Sequence, residues 1–253
     1  MIEDSETSIR SEPPVELGPG LDKSEIARRF RANGRVHIPG ILTDAAAART
    51  YRCLVQELPW RLVLLDDSGP RSLSVADPSQ LPAAEREQLE RSILRRAQRG
   101  FQYVYNSFPV FECHRDGILM DRYVMRVYEF LNSPEFIGFV RGVTGISTID
   151  YADAQATLYR PGHFLTRHDD TAEGKHREVA YVLNFTPEWR AEWGGLLAFI
   201  GPDGHVTEAW TPTMNALNLF RVPALHTVTE IASFAGAGRY SITGWLRQLP
   251  AGG

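Results

Sequence analysis

The chain has 253 residues, enough to bury a good core, and is most simply one domain with an N-terminal extension. Its 43% hydrophobic and 23% charged residues are the make-up of a soluble globular protein, and a formal net charge of −4 argues against direct nucleic-acid binding as its role. No apolar run is long enough to span a bilayer, and the acidic start Met1-Ile2-Glu3-Asp4 lacks the basic and apolar regions of a signal peptide, so a cytoplasmic protein without a membrane partner is expected.

Only Cys53 and Cys113 are present, far apart, which predicts free thiols and excludes a zinc site built from cysteines. Residues 1–20 are rich in Glu, Ser, Pro and Gly and read as a disordered leader. The folded part, 21–248, starts with a helix capped by Asp22 or Ser24, with Ile26, Ala27 and Phe30 on one face and Gly34 at its end. A short strand over Arg35–Gly40 carries His37, read as structural. Thr43 or Asp44 then caps a second helix reaching about Leu58.

Residues 60–76 read as two strands around the turn-rich Asp66–Pro70, either a lid over a substrate or, preferred from sequence alone, an ordinary surface hairpin. Residues 83–99 have helical spacing, with Leu89, Ile93 and Leu94 as the buried stripe and a solvated charged face. Phe101–Phe108 alternates as a strand whose Tyr103 and Tyr105 are assigned to the core. Helices are predicted over roughly 118–131 and 134–143, the second ended by Gly145. From about Asp150 to Leu246 short strands alternate with Gly, Pro and Asp, the pattern of an antiparallel sandwich or barrel.

The chemistry-bearing stretch is His168-Asp169-Asp170. In extended backbone His168 and Asp170 point to one side and Asp169 to the other. Two His and one carboxylate can hold one face of an octahedral Fe(II), leaving the opposite positions for substrate and dioxygen. The best-placed third ligand is His226, which follows the apolar run Ala216–Val222 and the breaker Pro223. His163, after Pro161-Gly162, has no acid two residues on and is read as a surface or outer residue. In the last strand Arg239, Ser241, Thr243 and Trp245 share one face. An inward guanidinium needs an anion, either a ligand carboxylate such as that of 2-oxoglutarate or a protein acid such as Glu230.

Taken together, Tyr159 nine residues before His168, His168-Asp169-Asp170 with Glu173-Gly174, Tyr181-Val182-Leu183-Asn184, Trp193-Gly194-Gly195, Leu225-His226-Thr227-Val228 and Arg239–Trp245 resemble the Fe(II)/2-oxoglutarate dioxygenases. The match is to the prolyl hydroxylase branch, and most closely to ribosomal prolyl hydroxylases of the Tpa-like and OGFOD-like group. It is strong over 150–248 and general over 21–145.

The resemblance implies a mainly β fold, a double-stranded β-helix (jelly-roll) over 150–248 braced by the helices and strands of 21–149. It implies Fe(II) on His168, Asp170 and His226, and the distal carboxylate of 2-oxoglutarate on Arg239, with Tyr159 as a hydrogen-bonding helper and Ser241 a further candidate. O2 is the co-oxidant and ascorbate a candidate stimulant. The implied reaction is hydroxylation of a prolyl residue of a cytoplasmic protein, coupled to decarboxylation of 2-oxoglutarate to succinate. A free amino acid or small metabolite is the alternative substrate, and a non-catalytic β-helix binding protein the alternative class. The ribosomal enzymes carry a second, non-catalytic domain of the same fold, which this sequence does not include, so the resemblance is not extended to a ribosomal substrate.

Overall fold

The computed structural model describes residues 12–249. The helices are α1 (Lys23–Asn33), α2 (Asp44–Gln56), α3 (Ala83–Ala97), α4 (Val110–Arg115), α5 (Tyr123–Leu131) and α6 (Pro134–Thr144). The strands are β1 (Arg35–Pro39), β2 (Arg61–Asp66), β3 (Gly69–Ser72), β4 (Tyr103–Phe108), β5 (Tyr151–Ala152), β6 (Gln155–Tyr159) and β7 (Phe164–His168). They continue as β8 (Arg177–Asn184), β9 (Leu197–Ile200), β10 (Val206–Trp210), β11 (Ala216–Arg221), β12 (His226–Val228) and β13 (Arg239–Arg247).

All pairings are antiparallel, in the order β1-β11-β8-β13-β6-β4-β7-β12-β9-β10. The sheet curls until its two ends approach. Arg35 of β1 forms an ion pair with Glu208 of β10 at 2.5 Å, across the gap where a hydrogen-bonded ladder would close the barrel. This is the expected jelly-roll, nearly closed, with helices packed on one outer face.

Strand β8 shows why both faces of this wall are apolar. Val179, Tyr181 and Leu183 join the helical layer in one core with Phe30, Leu54, Val127 and Phe136. Ala180 and Val182 point the other way and pack with Leu197, Phe199 and Phe220 inside the barrel. The two-residue period of a strand makes this division unavoidable, and a strand buried on both sides reads as a continuous apolar run. Helix ends follow their chemistry: Asp22, Thr43 and Ser133 accept from backbone N–H groups as N-caps, and Gly34 and Gly145 take the left-handed conformation at the C-termini. Phe136, 1% exposed, packs on Phe130 and Phe139 in the helical layer. Phe136→Ala is expected to cost about 3–5 kcal/mol, read as a lower urea midpoint.

Four sequence expectations are corrected. Residues 12–20 are seated on the fold rather than disordered: Arg49 pairs with Glu12 at 2.6 Å, the Tyr123 hydroxyl donates to the Pro13 carbonyl, and Gly18 N–H to Ile41. Residues 1–11 of that leader lie outside the described residues. Leu94 is 56% exposed, because it lies about 100° round the helix from Ile93 while Leu89 and Ile93 share a face. The 118–131 helix begins only at Tyr123, since Gly117 and Leu119 both take positive φ, and the short helix α4 precedes it. Of the two readings of His163, a surface position is excluded, since it is 5% exposed.

The 60–76 region is the expected hairpin, β2 paired with β3 on one side and β4 on the other. Leu62, Leu64 and Leu73 pack against Leu89 and Ile93 of α3. Gln102, fully buried, ties it to the rest: its amide donates to the Leu65 carbonyl and accepts from Leu65 N–H.

Candidate active site

Strands β7 and β12 pair so that His226 lies directly opposite His168, with ring centroids 4.1 Å apart. Each Nδ1 donates to the carbonyl two residues earlier, His168 to Thr166 at 2.9 Å and His226 to Ala224 at 2.7 Å. That fixes the tautomer and turns both Nε2 lone pairs to one point, the arrangement in which outer hydrogen bonds orient metal-binding imidazoles.

Asp170 closes the triangle, with Oδ1 at 3.3 Å from His168 Nε2 and Oδ2 at 3.6 Å from His226 Nε2. Ligand atoms about 2.1 Å from one divalent ion and at right angles to each other lie roughly 3 Å apart. The trio therefore fits a facial metal site, and among the described residues it is the one group of His, Cys, Asp or Glu with such spacing.

The structure brings Asp170 beside His168, but not through the extended alternation expected from sequence. β7 ends at His168, and Asp170 has φ 65°, in the left-handed region. Three contacts hold this turn. Asp169 Oδ1 accepts from Thr171 N–H at 3.0 Å, Ala224 N–H reaches the Asp169 carbonyl at 3.4 Å, and Arg177 Nη1 donates to the Asp170 carbonyl at 2.9 Å. Arg177 in turn lies 3.4 Å over the Trp245 ring. The Asp169 carboxylate is thus occupied by its own turn. Arg177, the first residue of β8, was not singled out from sequence, because its role depends on a backbone conformation that sequence does not announce.

Electrostatics suit metal ligation. Burial is the largest influence on Asp170 and opposes ionisation, but its interactions with His168 and His226 outweigh it, so its pKa is lowered. Burial, and next the neighbouring His168, lower the pKa of His226. A carboxylate beside a neutral imidazole is the protonation state a metal requires.

The triad opens into a cavity of about 470 Å³. Leu165, Val182, Phe220 and Val228 make its walls apolar, and Arg239, Ser241, Thr243 and Trp245 line it from one face of β13, as alternation requires. Arg239 is 2% exposed, and neither its Nε nor its Nη1 has a hydrogen-bond partner. Burial lowers its pKa. No carboxylate among the described residues lies within ion-pair distance of it, and Glu230 lines a different cavity.

Tyr159 stands opposite Arg239 in the β6–β13 ladder. Its ring, stacked 5.0 Å from Tyr105, lies 5.1 Å from the guanidinium carbon. Towards Arg239 it therefore offers a cation–π face, while its hydroxyl makes no hydrogen bond to another described residue. The Ser241 hydroxyl is paired with Thr157 Oγ1 at 2.7 Å, leaving it less free for a ligand. Tyr103 and Tyr105, assigned to the core from sequence, line this cavity. So do Phe101 and Gln155.

The two glycines before β9 have a steric reason. A Cβ on Gly194 would lie 2.0 Å from the Glu230 carbonyl oxygen, and one on Gly195 2.3 Å from Ile231 Cδ1 and 3.5 Å from Arg239 Cδ. They allow this backbone to pass close against Glu230 and Ile231.

The sequence profile described as the 2OG-Fe(II) oxygenase superfamily matches residues 154–247, the stretch containing the triad and Arg239. Those residues are a 2OG-Fe(II) oxygenase domain. The family to which this oxygenase domain belongs uses Fe(II), 2-oxoglutarate and O2. Prolyl 3,4-dihydroxylase OGFOD1 of Ostreococcus tauri is 31% identical over 148 residues, 53% of this chain and 28% of that protein. Prolyl 3-hydroxylase OGFOD1 of Mus musculus is 30% identical over 119 residues, 44% of this chain and 21% of that protein. The chain thus spans under a third of the length of these curated relatives.

Among solved structures, the oxygenase fold is shared with a prolyl hydroxylase in complex with a hypoxia inducible factor peptide fragment from Trichoplax adhaerens. That match has a TM-score of 0.60, 16% identity and 89% coverage of each chain. A Pseudomonas putida prolyl-4-hydroxylase matches with a TM-score of 0.52, 18% identity, and coverage of 92% of this chain and 95% of that one. No helix among the described residues is long and apolar enough to cross a membrane.

Proposed function

We propose that this protein is an Fe(II)- and 2-oxoglutarate-dependent dioxygenase that hydroxylates a prolyl residue of a protein or peptide. The observation that carries the reading is Arg239, a buried guanidinium without an anion in the same cavity as the triad. Burying an unpaired charge is costly, and a ligand carboxylate relieves that cost. The prolyl assignment is supported by the activities named for the relatives.

His168, Asp170 and His226 would hold the iron through Nε2, a carboxylate oxygen and Nε2, leaving the opposite face for the cosubstrate and O2. The iron would supply the chemistry by which O2 and 2-oxoglutarate become succinate and CO2, with one oxygen atom delivered to a C–H bond. Arg239 binds the distal carboxylate in a fork that an ammonium cannot match, and Tyr159 offers its hydroxyl to the same group. Leu165, Val182, Phe220 and Val228 exclude water from the reacting centre.

The test is Fe(II)-dependent conversion of 2-oxoglutarate to succinate, with mass spectrometry of cell proteins treated with active and His168→Ala enzyme. A prolyl mark of about +16 Da, one oxygen atom, made only by the active enzyme supports the reading. Succinate formation that rises with a free amino acid or metabolite, without any protein mark, would move the substrate to the small-molecule class. Absence of succinate formation by iron-loaded protein would leave a non-catalytic binding protein.

None of residues 61–76 lines the cavity. Replacing Asp66–Pro70 by a two-residue Asn-Gly turn is therefore expected to cause no loss of hydroxylation beyond any loss of uncoupled 2-oxoglutarate turnover. A selective loss of hydroxylation would assign this hairpin a lid role.

A further inference from the structure

Next to the triad cavity lies a second, smaller one of about 330 Å³, lined by Ser92, Arg95, Arg96, Arg99, Gly100 and Phe101, with Asp67 from the hairpin. Phe101 is the one residue that lines both cavities, and its ring is 5.5 Å from the ring of His168. It is also 42% exposed, an aromatic standing on the rim between the two spaces.

Three guanidiniums therefore share this cavity with one carboxylate. Arg96 reaches Asp67 only at 3.5 Å, and the Asp67 side chain is 97% exposed, so that pair is weakly held. The Arg96 Nε is covered and has no hydrogen-bond partner. Arg95 and Arg99 are exposed, with no carboxylate within 4 Å among the described residues. By contrast, Arg86 and Arg91 on the same helix each have an acid at i±4. Basic residues in a last helical turn can serve the helix dipole. Here none of the three side chains donates to a backbone carbonyl among the described residues, and Arg99 lies beyond the end of α3. A chain of net charge −4 has thus gathered under-compensated positive charge in a cavity that shares Phe101 with the triad cavity.

We propose that this arginine cluster is a specificity subsite that takes the carboxylate of an Asp or Glu side chain flanking the prolyl residue of the substrate. The inference rests on the prolyl hydroxylase reading above and adds a sequence rule to it. A peptide with its prolyl ring in the metal cavity passes Phe101 before it reaches the arginines. At about 3.3 Å per extended residue, the acidic side chain belongs roughly two to five positions from the prolyl. A free polyanion is disfavoured by the small size of the cavity.

The test uses the full chain loaded with Fe(II) and 2-oxoglutarate. Its substrates are synthetic peptides holding one central Pro in a Gly/Ala/Ser context, with Asp, Ala or Lys at each position from two to five residues away. Hydroxylation is read by mass. At the favoured position Asp is expected to lower KM about threefold to tenfold relative to Ala, the range open to a few partly exposed ion pairs. That advantage should disappear near 1 M salt, where the screening length is about 3 Å.

In the exposed charge-reversal variant Arg95→Glu/Arg99→Glu, with its thermal midpoint checked against the parent, the preference should invert towards Lys. Asp67→Asn, which removes the competing carboxylate, should strengthen the preference for Asp. Equal KM for Asp, Ala and Lys peptides in the parent overturns this inference alone. Inhibition by single-stranded RNA that is lost in the double variant, without any preference for acidic peptides, overturns it in favour of a nucleic-acid contact. If no peptide of any charge is hydroxylated while succinate still forms, the prolyl reading fails and this one falls with it.

Discussion

Asp170→Ala is expected to abolish Fe(II)-dependent turnover of 2-oxoglutarate while leaving the fold intact. Asp170 supplies one of three proposed ligands, and its carboxylate lies between the two Nε2 atoms at 3.3 and 3.6 Å. Changing a partner that merely orients a ligand costs roughly 10–100-fold in metal affinity or activity, so losing a ligand itself should cost more. Stability should change little, because the Arg177 contact is to the backbone carbonyl at position 170 and survives the substitution. Asp169→Ala should be much milder, since that carboxylate only caps the turn at Thr171. Anaerobic Fe(II) titration and thermal melts of the two variants separate metal loss from misfolding. If Asp169→Ala were inactive and Asp170→Ala active, the register assigned to the site would be wrong.

Arg239→Ala should raise the apparent KM for 2-oxoglutarate about a hundredfold or more, since losing one partner of a buried charged pair typically costs about 3–5 kcal/mol. Arg239→Lys should recover part of the loss, because the charge survives and the planar fork does not. The ligand-free protein is expected to behave in the opposite sense. Its guanidinium is buried with two unpartnered nitrogens, so replacing it with Met should leave the ligand-free thermal midpoint unchanged or raise it. The upward shift that 2-oxoglutarate gives the parent should be lost in the same variant. Fe(II) affinity should be nearly unchanged in all three variants. Titration of the iron-loaded, oxygen-free protein measures the affinities directly. Unchanged 2-oxoglutarate affinity in Arg239→Ala would mean that this guanidinium has another role and would remove the main support for the cosubstrate site.

The features legible in the sequence were those with a short-range cause. A two-residue period places Arg239, Ser241, Thr243 and Trp245 on one face of β13, and all four line the cavity. Glycines and polar caps mark the ends of α1 and α6, because left-handed φ and unpaired N–H groups are local requirements. The His-x-Asp spacing and the later His226 named the triad, although the spacing does not contain the left-handed turn at Asp170 that brings its carboxylate between the two imidazoles.

What only the tertiary structure decided depends on which segments meet. Tyr103 and Tyr105 have the pattern of core residues, and they line the site because β4 pairs with β7, the strand that ends in His168. Residues 12–20 have the composition of a disordered tail, yet contacts with Arg49 and Tyr123, distant in sequence, hold them to the fold. Arg177 carries no signal in the sequence, and its hydrogen bond to the Asp170 carbonyl exists only in the folded chain. Arg239 could have been half of an internal ion pair with Glu230, and the choice rested on where that acid lies after folding. Composition and period report the backbone's local preferences. The partner of a buried charge is set by strand order, which no window of sequence contains.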